Sequence, residues 1–212
     1  MVMRPSALHS SNQSGLRPSR SLVRLPNSYL DETRGIDLGK LPQDLHRTLR
    51  FHPACVFGPG TKLPCLIALM RDATADAPVG IQRTALLERN GRIERLERRM
   101  LGCAGVVKLW PAGPILAVGE GLETVLAAAT RILYRGAPLQ PAWAALSGGS
   151  LGKLPVLSGV ERLILLVDHD EAGSAAAVLC AERWNRAGRT VIRLTPKRAG
   201  ADFNDLVTEP AL

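Results

Sequence analysis

The sequence predicts an α/β protein, with a four-stranded parallel sheet flanked by helices in its second half and a small basic α+β domain before it. Three observations carry this. After Pro111-Ala112-Gly113-Pro114, short aliphatic runs alternate with longer helical segments, as in sheets covered on both faces. Before that point, strand-like stretches are separated by turn residues, as in antiparallel hairpins. The charge divides at the same place: residues 31–110 hold 13 basic and 9 acidic side chains, whereas residues 111–212 hold ten of each. The expected boundaries are 1–21 for a flexible basic tail, 22–110 for the basic domain and 111–212 for the α/β domain.

The elements follow in order. Residues 1–21 are rich in Ser, Pro and Arg and show no hydrophobic period, which reads as a tail. Short helical pieces are expected at Tyr29–Arg34 and Gln43–Leu49, punctuated by Gly35, Gly39 and Pro42. Phe51-His52-Pro53 through Pro59-Gly60 reads as a loop. Pro64–Met70 and Val79–Leu87 read as a hairpin around the turn-rich Asp72–Pro78, and Asn90-Gly91 as a tight turn. Arg92–Met100 and Val106–Trp110 are expected to extend that sheet. The second half then gives strand Ile115–Gly119, helix Leu122–Leu133, strand Ala142–Leu146, strand Leu163–Val167, helix Glu171–Arg186 closed by Gly188, and strand Thr190–Leu194.

Composition excludes several classes of function. With 212 residues, 46% hydrophobic and 22% charged, the chain is neither fibrous nor wholly disordered. Aromatics at 4% argue against a base-stacking platform. No apolar run is long enough to span a bilayer, and Met1 to Arg24 lacks the apolar core of a signal peptide, so no membrane partner and a cytoplasmic location are expected. Cys55, Cys65, Cys103 and Cys180 form no C-x-x-C pair and read as reduced thiols. His46, His52, Cys55 and Cys65 match no zinc-ligand spacing, so no zinc is expected. The net charge of +8 lies wholly in the first half, where Arg4, Arg17, Arg20 and Arg24 add to the surplus. That asymmetry points to a polyanion, with nucleic acid the leading partner; an Arg-rich coding bias is the alternative.

The chemistry concentrates in acids at predicted strand ends, where open parallel sheets bind their ligands. Ile115–Gly119 runs into Glu120-Gly121-Leu122-Glu123, and Leu163–Val167 into Asp168-His169-Asp170. Residues two apart on an extended chain point the same way, so Asp168 and Asp170 face one pocket while His169 faces away. Converging carboxylates suit Mg²⁺, which takes oxygen ligands and keeps waters that a phosphate can replace; Mn²⁺ can substitute. Glu120 suits either a metal ligand or the acid/base on a 3′-hydroxyl. Glu123, one helical turn on, reaches the same cleft and joins Glu120, Asp168 and Asp170 as a candidate metal ligand. Taken singly, each acid also fits a solvated loop or a helix N-terminus.

A strand followed by Glu-Gly-x-Glu, and later an aliphatic strand ending Asp-x-Asp, resembles the Toprim domain shared by bacterial-type primases, topoisomerases and several nucleases. Asp168-His169-Asp170-Glu171-Ala172-Gly173 and Ala201-Asp202-Phe203-Asn204-Asp205-Leu206 resemble the branch found in phage- and plasmid-type primases. Tyr29-Leu30, Arg34-Gly35-Ile36, Leu49-Arg50-Phe51-His52-Pro53 and Gly80-Ile81-Gln82-Arg83-Thr84 are similar to the segment before Toprim in those proteins. The resemblance implies a Toprim-like, Rossmann-like sheet and Mg²⁺-dependent phosphoryl transfer. It makes Glu120 the acid/base glutamate, Asp168 and Asp170 the metal-binding pair, and Asp202 and Asp205 a later acidic motif. Implied partners are a single-stranded DNA template and nucleoside triphosphates, with a replicative helicase or a zinc module supplied in trans, since neither module is recognisable here.

Other signals compete. Gly148-Gly149-Ser150-Leu151-Gly152 fits a hydrolase elbow, but Ala142–Leu146 stops early and Pro155 blocks an immediate helix, so a glycine-rich loop beside the acids is expected instead. Ser147–Leu154 also lacks the outer residues of a phosphate-binding P-loop, so ATP-driven movement along DNA is not expected. Only Tyr29 and Tyr134 could serve a topoisomerase, which makes that reading poor. Arg89, Arg92, Arg95, Arg98 and Arg99, interleaved with Glu94 and Glu97, read equally as a template-facing stripe or a solvated face laced with ion pairs. Arg83, Arg95, Arg98, Arg99 and Lys153 are the chosen nucleic-acid contacts, and Arg24, Arg34, Arg47 and Arg50 are further cations without a rank. Three functions follow: a primase making short RNA primers, a metal-dependent Toprim nuclease, and a non-catalytic DNA-binding remnant.

Overall fold

The computed structural model describes residues 27–168 and 171–196. The expected tail at 1–21, Arg24, His169, Asp170, Asp202 and Asp205 lie outside them.

The chain enters through a helical turn at Tyr29–Thr33 and two 3₁₀ turns, Leu38–Lys40 and Leu45–Arg47. The helix expected over Gln43–Leu49 shrinks to the second of these. So few residues between Pro42 and a strand cannot propagate a helix, and Leu49 is already buried and paired with Ala68. An antiparallel meander follows: β1 (Leu49–Gly58), β2 (Thr61–Arg71), β3 (Pro78–Arg89) and β4 (Arg92–Gly102), in that spatial order. The loop expected from Phe51 is therefore strand β1. It is an edge strand, and Pro53 falls within its register shift between His52 and Cys55, where a missing N–H costs nothing. Asn90 and Gly91, at φ 52° and 74°, make the β3–β4 turn with two left-handed residues, as the dipeptide predicts.

The second sheet holds β5 (Val107–Lys108), β6 (Ile115–Gly119), β9 (Ala142–Ala144), β10 (Arg162–Leu166) and β11 (Thr190–Leu194), in the order β11-β10-β6-β9-β5. β6, β9, β10 and β11 run parallel, as expected, but the sheet has a fifth strand. Val107–Lys108 does not extend the meander; it pairs antiparallel with β9, and only Val106 keeps a bridge to Arg71 of β2. Helix α1 (Leu122–Arg131) stops short of Leu133, because the next residues form a small hairpin, β7 (Leu133–Tyr134) with β8 (Ala137–Pro138). Arg135 and Gly136, at φ 55° and 82°, turn it. The expected glycine-rich loop is instead a short helix, α2 (Gly148–Gly152), whose Ser147 side chain caps the Ser150 N–H at 3.1 Å. Helix α3 (Glu171–Arg186) matches its expected span.

Strand alternation sorts the core. Leu116, Val118, Leu163 and Leu165 face α2 and α3, with Trp143, Leu154, Cys180 and Trp184. Ala117, Ile164 and Leu166 face the other way, onto Leu122, Val125 and Leu126 of α1. That second cluster continues through Tyr29, Ile36, Leu66, Met70 and Leu86, so α1 lies between the two sheets. Burial of each such Leu or Val contributes about 1.5–3 kcal/mol. Gly119 allows the tight seat of α1, since a Cβ there would lie 2.9 Å from Val125 Cγ2 and 3.1 Å from Leu166 Cβ. No helix among the described residues is long and apolar enough to cross a membrane.

Candidate active site

From β6 the chain crosses by α1 to β9 on one side, while β10 lies on the other side of β6. This reversal is a topological switch point, and a crevice opens beyond the carboxyl ends of the strands there. Gly119 pairs with Leu166, so Glu120 leaves β6 beside the stretch that carries Val167 and Asp168 beyond β10. Both acids line one cavity of about 140 Å³, together with Gly121, Glu123, Thr124, Leu146, Arg34, Arg95 and Arg98. Leu146 adopts φ 67°, uncommon for a branched side chain, and its N–H donates to the Glu120 carbonyl at 2.8 Å. The backbone behind Glu120 is thereby pinned.

The cavity is built from both halves of the chain. Glu123, in the first turn of α1, is almost wholly buried, and its carboxylate is surrounded by residues remote in sequence. Tyr29 Oη donates to Oε1 at 2.8 Å. Arg95 Nη1 stands 3.5 Å from Oε1 and Arg98 Nη1 3.7 Å from Oε2. Arg34 Nε donates to Tyr29 Oη at 3.3 Å. Residues three apart on a regular strand face opposite sides, so Arg95 and Arg98 would not ordinarily share a target. The register shift opposite Ala85 and Leu86 supplies the reason: Glu97 pairs with Ala85 and Arg95 with Leu86, leaving Leu96 as an extra residue. The bulge aims both guanidinium groups at α1.

Burial, reinforced by the Glu123 charge, pushes the Tyr29 phenol from its ordinary 10 up to about 12. A group whose pKa rises on folding contributes stability that is complete below the unfolded value and lost as pH climbs towards the folded one. Between pH 10 and about 12 the unfolded chain has lost a proton that the native chain retains. Denaturant unfolding across that window is expected to show a fall of about 3 kcal/mol attributable to this phenol. Tyr29→Phe removes that part of the slope; an identical slope in both proteins contradicts the assignment.

The other nucleic-acid contacts chosen from sequence lie elsewhere. Arg83 pairs across the strands with Arg99, on the far face of the meander from α1. Arg83 is buried, stacks near the Phe57 ring and donates to the Val56 and Met100 carbonyls. Arg99 lies over the same ring, binds Glu97 through two nitrogens at 2.7 and 3.1 Å, and donates to the Phe57 carbonyl. Lys153 is exposed at the end of α2, away from the residues lining the acid cavity. The structure thus brings Glu120, Glu123, Asp168, Arg95 and Arg98 together and leaves Arg83, Arg99 and Lys153 apart. Sequence reading passed over Tyr29, Thr124 and Leu146 as site residues and left Arg34 unranked; no spacing joins Tyr29 to Glu123.

The donor chemistry fits Mg²⁺. With Glu123 engaged by a phenol and two guanidinium groups, Glu120 and Asp168 are the other carboxylates that line the cavity among the described residues. One or two carboxylates with several waters is the usual Mg²⁺ environment. Among the described residues no three His, Cys, Asp or Glu side chains gather as a metal cluster. None of the four cysteines is in a disulfide; Cys55, Cys65 and Cys180 are buried and Cys103 is exposed. A larger cavity of about 670 Å³, lined by Arg47, Arg71, Lys108, Trp110 and Trp143, holds none of the predicted acids, and its Lys108 is paired with Asp76 at 2.9 Å.

Residues 115–210 match the Toprim domain family, and residues 12–107 match a domain of unknown function (DUF7146). A search of the curated proteins finds no match. Among solved structures, the chain is similar to the primase fragment of the bacteriophage T7 primase-helicase protein, with TM-score 0.57, 19% identity, and coverage of 83% of this chain and 66% of that one. It is also similar to the Aquifex aeolicus primase comprising zinc-binding and RNA polymerase domains, with TM-score 0.50, 15% identity, and coverage of 87% and 52%. The chain therefore spans about two thirds of the first structure and half of the second, and the likeness is one of fold.

Proposed function

We infer that this chain, which carries a Toprim domain over residues 115–210, is the catalytic part of a primase-like enzyme that joins nucleotides on a single-stranded DNA template. The observation that carries the reading is the single cavity in which Glu120 and Asp168 face Arg34, Arg95 and Arg98. Carboxylates that hold a divalent ion opposite guanidinium groups that hold phosphate are the two halves of a phosphoryl-transfer site. The primase fold of the T7 fragment supports the choice of nucleotide transfer over hydrolysis.

Asp168 and Glu120 would hold Mg²⁺, with Asp170, outside the described residues, as the further ligand that the Toprim resemblance implies. Bound there, the ion would supply Lewis-acid stabilisation of phosphate charge. The Glu120 carboxylate accepts the proton from the attacking 3′-hydroxyl as that oxygen bonds the α-phosphorus and the Pα–O bond to the leaving pyrophosphate breaks. Arg95 and Arg98 orient the polyphosphate from the opposite wall, and the Leu146–Glu120 backbone bond fixes the glutamate's position. Residues 22–110 form the basic, template-side domain and residues 111–212 the catalytic one. A helicase or zinc-bearing partner in trans completes template selection.

The test is one reaction containing single-stranded DNA, labelled ribonucleotides and Mg²⁺ or Mn²⁺. Short labelled products are the expected result. A shortened template instead identifies a Toprim nuclease, and DNA binding without turnover identifies a binding remnant.

A further inference from the structure

We propose that Glu123 is an internal counter-ion which occupies the Arg95–Arg98 pair while the site is empty, and which the polyphosphate of the incoming nucleotide displaces. The proposal rests on the primase-like reading for the identity of that nucleotide, and makes Glu123 a positioning residue instead of the metal ligand that its sequence position suggests.

Four features of the site support it. First, the three contacts to Glu123 are of two kinds. Tyr29 donates at 2.8 Å, a hydrogen bond of ordinary length, whereas the guanidinium nitrogens stand at 3.5 and 3.7 Å. Charge-assisted N–H···O bonds shorten to about 2.7–2.9 Å when fully formed, so the arginines are held by charge without being locked. Second, the partners differ in freedom. The Glu123 side chain is 4% exposed and rooted in α1, while those of Arg95 and Arg98 are 33% and 38% exposed. Both arginines stand on a strand whose only ladder partner among the described residues is β3, beside its bulge.

Third, the cavity of about 140 Å³ is smaller than the roughly 300–1,000 Å³ that drug-sized ligands occupy, so a nucleoside triphosphate seats more deeply if a wall moves. The part-exposed arginines are the walls free to do so. Fourth, Glu123 is not stranded when they turn outward. It keeps the Tyr29 hydroxyl, which Arg34 in turn contacts, so an uncompensated buried charge is avoided. Polyphosphate and Glu123 therefore compete for one guanidinium pair, and the buried carboxylate sets the threshold at which an anion is admitted.

The experiment measures inorganic tripolyphosphate binding to the whole chain at low salt without divalent metal, by titration calorimetry. Glu123→Gln keeps an acceptor for Tyr29 and removes the competing charge; it is expected to bind tripolyphosphate roughly tenfold more tightly than the unaltered chain. Equal or weaker binding overturns the proposal, because it would mean that Glu123 preorganises the arginines or is uncoupled from them. Arg98→Gln, a part-exposed substitution with little consequence for folding, is expected to weaken binding several-fold in the otherwise unaltered chain. Unchanged binding there also overturns the proposal, even if Glu123→Gln does not fold. Primer synthesis is not the readout, so a chain that binds tripolyphosphate as described yet makes no primers fails the functional reading and keeps this one.

Discussion

Replacing Asp168 by alanine is expected to reduce nucleotide incorporation by roughly 10³-fold or more while leaving the fold intact. The reasoning starts from position. Asp168 follows β10 at the switch point, part-exposed and facing the cavity that Glu120 shares, so its loss opens no cavity in the core. On the proposed function, what goes is a ligand oxygen for the divalent ion, whose stabilisation of transferring phosphate would be worth several kcal/mol, with each 1.36 kcal/mol a factor of ten. The measurement is the single-stranded DNA reaction with labelled ribonucleotides, run beside a far-ultraviolet circular dichroism melt. A variant that melts like the parent and makes no primers is the expected outcome. Retained synthesis would remove Asp168 from the site and with it the metal assignment.

Trp184→Ala is expected to have the largest effect on stability. Trp184 is fully buried on α3, packed in the cluster that contains Leu116, Leu163 and Leu165, and its indole nitrogen donates to the Leu154 carbonyl at 3.4 Å. Its neighbour Arg183 donates to the Gly152 and Leu154 carbonyls, so this end of α3 grips the chain leaving α2. Truncation forfeits the transfer energy and leaves a cavity, a cost of about 3–5 kcal/mol. For a chain of this size that lowers Tm by about 10 °C. Trp184→Phe retains most of the volume and is expected to cost less than half as much. Equal losses in both variants, read by urea unfolding, would show that the hydrogen bond outweighs the packing.

Much of the second half was legible in the sequence because its signals are local. Ile115–Gly119, Glu171–Arg186 and Thr190–Leu194 match their expected spans: a short aliphatic run, or a long helix ending in Gly188, needs no distant partner to be recognised. The placement of Glu120 and Asp168 on one cavity was legible for the same reason, as acids immediately beyond such runs. The first half was less so. Pro53 argued for a loop, and only the pairing of β1 at a sheet edge reveals why proline is tolerated there. Val107–Lys108 carries no mark of which sheet it joins, since two residues have no useful period. The partners of Glu123 were the least legible of all. Tyr29 lies 94 residues away, and Arg95 and Arg98 share a target only because of a bulge that depends on the register with β3. Arg83 and Arg99 looked equivalent to them in sequence, but pleating carries that pair to the opposite face.

The placement of β5 has a consequence for how the molecule comes apart. The two family matches end at 107 and begin at 115, as though the chain were two modules joined by a tether. Yet Val107 and Lys108 are laced into the second sheet, Val106 is bridged to β2, and one apolar cluster runs from Met70 and Leu86 to Ala117 and Ile164. Separating the halves at residue 111 would leave the second sheet without its outer strand and split the apolar cluster that α1 shares with Tyr29, Ile36, Leu66, Met70 and Leu86. The halves are thus obligate companions: they should melt together in one transition, and neither should be recoverable alone after a cut at the seam. Transplanting a Toprim domain from such a chain would require carrying the strand before it as well.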